Sequence, residues 1–108
     1  MDQKKLQNCI RQCLDCTAIC EECANRCIGD AQMQTCLRLC LECAEICQAC
    51  ARVMSRQSSL TARWCGFCAE ACDACAAECE KYSDDLMRRC AQACRQCATA
   101  CREVAAAA

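Results

Sequence analysis

Cysteine recurs along this chain at steps of three and four residues, and that spacing limits its fold more than any other feature of the sequence. The first run holds Cys9, Cys13, Cys16, Cys20, Cys23 and Cys27, and the second Cys36, Cys40, Cys43, Cys47 and Cys50. The third holds Cys65, Cys68, Cys72, Cys75 and Cys79, and the fourth Cys90, Cys94, Cys97 and Cys101. Alternating steps of three and four put each run on one stripe of an α-helix, at the positions that face partner helices in a bundle. A strand would need a period of two, and no run has it.

The rest of the sequence agrees with helix. Proline is absent, glycine occurs twice, and Ala, Leu, Glu, Gln and Arg dominate between the cysteines. Gly29 followed by Asp30 reads as a helix end and a new N-cap. Ser58 or Ser59 is placed to cap a third helix, and Ser83 or Asp84 a fourth, with Asp84 and Asp85 at its positive end. The 108 residues therefore predict one domain with helices over roughly 3–28, 31–54, 59–81 and 84–104. Short links between helices this long give an all-α, antiparallel up-down-up-down four-helix bundle with a cysteine-lined core. The turns near 29 and 83 share one end, and the turn near 56 shares the other with both termini.

Composition removes several function classes. Histidine is absent, so neither a Ser/His/Asp nor a Cys/His catalytic unit can be built. A net charge of -1 and only three aromatic residues, Trp64, Phe67 and Tyr82, argue against a nucleic-acid partner. No segment approaches the roughly 20 apolar residues of a membrane span. MDQKKLQNCIRQC also lacks an apolar run of signal-peptide length, which predicts a reducing cytoplasmic setting. There, twenty cysteines point to metal rather than to disulfides.

Four thiol stripes converging on one axis would leave an underpacked core of small side chains unless something fills it. Thiolates select Cu(I), zinc or iron-sulfur clusters. If every cysteine served a four-thiolate zinc site, about five Zn²⁺ would sit among twenty thiolates and leave a large uncompensated negative charge. Cu(I) takes two or three thiolates, and with bridging sulfurs about one ion per cysteine balances the charge. The ferredoxin pattern is missing, and the seven CxxC pairs, among them Cys13 with Cys16 and Cys65 with Cys68, have no βαβ context. Zinc or cadmium sequestration of the metallothionein type, a copper sensor or chaperone, and a disulfide-stapled helical protein remain as alternatives. Leu6, Ile10 and Leu14 flank the first stripe. Leu37, Leu41 and Ala44 flank the second on one side, and Leu39, Ile46 and Val53 on the other. These larger residues are expected to close the contacts between helices, with any excess on the second helix buried against another subunit. Glu78 and Tyr82 carry no evident chemistry.

The first run, together with CGFCAEACDACAAEC and CAQACRQCATAC, resembles the cysteine-rich helices of the bacterial cytosolic copper storage proteins over nearly the whole chain. The resemblance implies a non-enzymatic bundle that stores many Cu(I) ions on all twenty cysteines and assembles as a homotetramer. Members of that family commonly carry histidines in the loops before the second and fourth helices, where copper enters. Here those stretches read GDAQMQTC and KYSDDLMRRC. Met33 and Met87 stand there, and a thioether is also a soft Cu(I) ligand. Met54 belongs to the opposite end.

Overall fold

A computed structural model describes residues 2–107. Four helices account for nearly all of it: α1 (Gln3–Cys27), α2 (Gln34–Ser55), α3 (Thr61–Cys79) and α4 (Asp85–Ala107). Each packs against two neighbours, α1 and α3 both lying against α2 and α4. The four-helix bundle that the cysteine spacing predicts is the fold observed, 43 Å long and 18 by 17 Å across.

The helix ends follow local chemistry. Asp2 caps α1, its carboxylate accepting the Lys4 and Lys5 amides at 2.9 and 3.4 Å. The helix stops where Gly29 takes φ 82°, a left-handed conformation that costs glycine nothing. Asp30 then accepts the Gln32 amide at 3.0 Å, but the turn it caps is a 3₁₀ turn, Ala31–Met33, and α2 begins only at Gln34. The second helix thus starts later than the position of Asp30 suggests.

At the far end the cap falls elsewhere than the serines suggest. The Ser58 hydroxyl accepts the Leu60 amide at 3.0 Å, inside the turn, and α3 begins at Thr61 with no side-chain cap. What ends α2 is a Schellman arrangement: the Gln57 amide donates to the Met54 carbonyl at 2.9 Å and the Ser58 amide to that of Val53 at 3.2 Å. It forces Gln57 to φ 50°, where glycine is the residue without strain. At the start of α4, Asp85 sits in the first turn and pairs with Arg89 at 2.9 Å, as the dipole favours.

The core is mostly sulfur. Besides the cysteines it buries Leu6, Val104 and the small residues Ala24, Ala44, Ala69, Ala76, Ala91 and Ala98, which let the helices approach closely. Val53 is buried, and Ile10, Leu37, Leu39 and Ile46 pack partly against the core. Leu14 and Leu41 do not close helix contacts: they stand 51% and 42% exposed on the outer seam of α1 and α2. The heptad stripe holds only about one residue per turn, and cysteine already occupies it.

Candidate metal centre

Every cysteine is a free thiol with no solvent-exposed surface. The four stripes meet on the bundle axis and their sulfurs form a ladder along it. Nearest the turns at 29 and 83, Cys23, Cys40, Cys79 and Cys90 have their sulfurs within 4.8 Å of one another. Next come Cys20, Cys75, Cys90 and Cys94, then Cys16, Cys20, Cys43 and Cys94, then Cys16, Cys43, Cys47 and Cys72. Toward the termini lie Cys13, Cys50, Cys68 and Cys101. The first four groups share members, and Cys68, 3.6 Å from Cys47, ties the last to them, so the ladder has no gap. Cys97 joins it through Cys13 at 3.6 Å, Cys9 through Cys101 at 3.6 Å, Cys65 through Cys50 at 3.8 Å, and Cys36 through Cys79 at 3.9 Å. Cys27 is buried beside Cys36 and Cys79.

Contacts run both along and between helices. One turn apart, Cys16 and Cys20 stand at 3.9 Å, Cys36 and Cys40 at 3.9 Å, and Cys43 and Cys47 at 3.8 Å. Between helices, Cys47 and Cys72 are 3.5 Å apart and Cys16 and Cys94 3.6 Å. With a metal-sulfur bond of about 2.3 Å, sulfurs around one ion stand about 4 Å apart when trigonal and about 3.8 Å when tetrahedral. The ladder therefore accepts a thiophilic metal with little rearrangement. Charge then selects between metals, because a divalent ion in four-thiolate sites leaves excess negative charge in a dry core and a monovalent ion at one per thiolate does not.

The thiols also tune one another. Hydrogen bonds from Cys23, Cys40 and Cys75 pull the Cys79 thiol down to about 5. The bond from Cys20 leads those that bring Cys16 to about 7. At the end of the ladder burial dominates instead, pushing Cys27 up, and it does the same at Cys36 with the Cys79 charge adding to it. These outer thiols are protonated near neutrality.

The two methionines near the turns at 29 and 83 behave differently. Met87 is fully buried, its Sδ 3.1 Å from the Cys23 Sγ and 3.8 Å from that of Cys36, so its thioether continues the ladder. Met33 is buried at the same end but makes no such sulfur contact among the described residues. Met54 is fully buried at the opposite end, in the same core as Leu6 and Val104.

Glu78 and Tyr82 do have a place in the structure. Glu78 is only 8% exposed and accepts from Lys81 at 3.0 Å. The half-buried Tyr82 donates its hydroxyl toward Glu78 at 3.4 Å and toward the Gln32 carbonyl, across the mouth of the bundle, at 3.3 Å. Their i, i+4 spacing was the one sequence signal of the pairing.

A family model described as copper storage protein matches residues 2–106. Among solved structures, apo copper storage protein 3 from Bacillus subtilis is 37% identical with a TM-score of 0.88, covering 92% of this chain and 97% of that one. The Streptomyces lividans copper storage protein loaded with 10 copper equivalents is 35% identical with a TM-score of 0.93, covering 97% and 86%. A protein from Nitrosospira multiformis is 43% identical with a TM-score of 0.89, covering 98% and 99%. No curated protein sequence matches the chain.

Proposed function

The chain belongs to the copper storage protein family, and on that footing we propose that it stores Cu(I) on the thiolates of its bundle core, at about one ion per cysteine. The observation that carries this reading is the unbroken ladder of free, buried thiols, whose spacing suits shared and bridging coordination. Copper is cargo here, held away from water and oxygen, and the reading assigns the chain no catalysis.

The proposed ligands are Cys9, Cys13, Cys16, Cys20, Cys23, Cys27, Cys36, Cys40, Cys43, Cys47, Cys50, Cys65, Cys68, Cys72, Cys75, Cys79, Cys90, Cys94, Cys97 and Cys101. Met87 joins them at the port. Burial beside Cys23 supports it, whereas Met33 has only its position in favour. Each thiol that is protonated gives up one proton as its sulfur binds one Cu⁺, so loading leaves the core charge unchanged. The whole of residues 1–108 then serves as one storage domain. A cytoplasmic location is supported by the cytosolic description of a Streptomyces lividans relative, and no described helix is long and apolar enough to cross a membrane. Assembly as a homotetramer through the seam of α1 and α2 is supported by Leu14 and Leu41, which are exposed there in the single chain.

Anaerobic titration of the reduced protein with Cu(I) against a competing chelator tests the function. A plateau at about twenty equivalents per chain is expected. Saturation at one or two would instead mark a sensor or chaperone, and about five equivalents of zinc held in preference to copper would mark a metallothionein-like role.

A further inference from the structure

The storage core is closed at both ends, by different chemistry. At the end holding both termini, Leu6, Met54 and Val104 are buried in one apolar core, with Thr61 buried beside Leu6. Among the described residues, Met54 is the one sulfur that lies beyond Cys9, Cys50, Cys65 and Cys101 there. At the opposite end the ladder runs outward to Cys36, Cys27 and Met87, all without exposed surface. An ion can reach them only if something moves.

What covers them is polar and lightly held. The turn after α1 and the turn after α3 are joined by two ties. Arg26 pairs with Asp84 at 3.6 Å and with Asp30 at 3.8 Å, all three being well exposed. Beside this, Tyr82 packs on the core while its hydroxyl reaches the Gln32 carbonyl at 3.3 Å and the Glu78 carboxylate at 3.4 Å. Its amide is anchored on the Cys79 carbonyl at 3.1 Å. Its one hydroxyl proton is shared between two long contacts, and the one to Gln32 joins a helix end to a 3₁₀ turn rather than two rigid helices. Such a contact opens at low cost, unlike the apolar plug at the other end.

We propose that Tyr82, positioned by Glu78, is a clasp over the port that sets the rate at which copper enters and leaves without contributing to how much is held. The proposal rests on the storage reading and on passage through the Met87 end. It makes Tyr82 a positioning residue: it binds no metal and acts by holding the turn at Gln32 against the end of α3.

The test uses the full chain, loaded anaerobically with Cu(I) and then mixed with excess bathocuproine disulfonate, a Cu(I) chelator. Capacity and release half-time are read for the wild type, Tyr82→Phe, Tyr82→Ala and Leu6→Ala. Tyr82→Phe keeps the packing and removes only the hydroxyl bonds, so it should release copper about two- to tenfold faster at unchanged capacity. Tyr82→Ala should be faster still, and Leu6→Ala, at the sealed end, should match the wild type. Equal release rates for the wild type and both Tyr82 variants would overturn the clasp. So would a Leu6→Ala variant faster than Tyr82→Ala, or a lower capacity in Tyr82→Phe. A wild-type capacity of one or two ions is a separate failure, that of the storage reading itself.

Discussion

At the scale of single residues, the port separates two methionines that look equivalent in the sequence. Met33 and Met87 both stand just before a cysteine-bearing helix run, but only Met87 directs its sulfur at thiols, 3.1 Å from Cys23. Met87→Leu keeps the volume and removes the donor. It should weaken the outermost copper by at least the roughly tenfold that loss of even an outer-shell partner causes. Met33→Leu should leave copper affinity as it is, and competition with a chelator at substoichiometric copper distinguishes the two. A second expectation concerns protons. Burial holds Cys27 and Cys36 in the thiol form near neutrality, so copper must displace a proton from each. Lowering the pH therefore favours the empty site, with affinity falling about tenfold per pH unit for each proton displaced. Copper competition at about pH 6 and about pH 8, with proton release followed in a pH-stat, measures this directly. The clustering of the cysteines in the core was legible in the sequence because a stripe of thiols has one helical period. The Tyr82 and Glu78 pairing was not, because its second partner is the backbone carbonyl of Gln32, fifty residues away.

At the scale of elements, the four helices were readable from spacing alone, whereas their ends depended on backbone geometry that composition only hints at. Gly29 takes the left-handed conformation expected of a glycine after a helix. The turn after α2 needs the same conformation and has Gln57 instead, with no residue type to announce it. Gln57→Gly should relieve that strain and raise the stability of the apo protein by about 1 kcal/mol, net of the entropy that glycine adds to the unfolded chain. Urea unfolding of the reduced, metal-free protein checks it, with an unchanged copper plateau as the control. Ser58 illustrates the same limit. A serine before a helical stretch reads as its cap, but Ser58 is already committed to the turn, its carbonyl accepting the Thr61 amide at 3.1 Å and its hydroxyl accepting the Leu60 amide at 3.0 Å.

At the scale of the whole molecule, the core leaves no room for the hydrophobes that would ordinarily join helices, and part of the apolar surface is displaced outward. Leu14 and Leu41 mark where it emerges, along the seam of α1 and α2. If that seam is the contact of a tetramer, Leu14→Glu with Leu41→Glu should shift the protein to a smaller species in sedimentation analysis. The copper capacity per chain should stay the same, because the ladder is built within one bundle. The ladder has one more property. Cys13 touches Cys68, Cys97 and Cys101, and Cys20 touches Cys16, Cys90 and Cys94, so most sulfurs reach the rest through several neighbours on different helices. A network wired this way degrades gracefully: an oxidised or missing thiol subtracts its own site and leaves detours to those deeper in, so damage lowers the total in proportion instead of stranding whatever lies behind it.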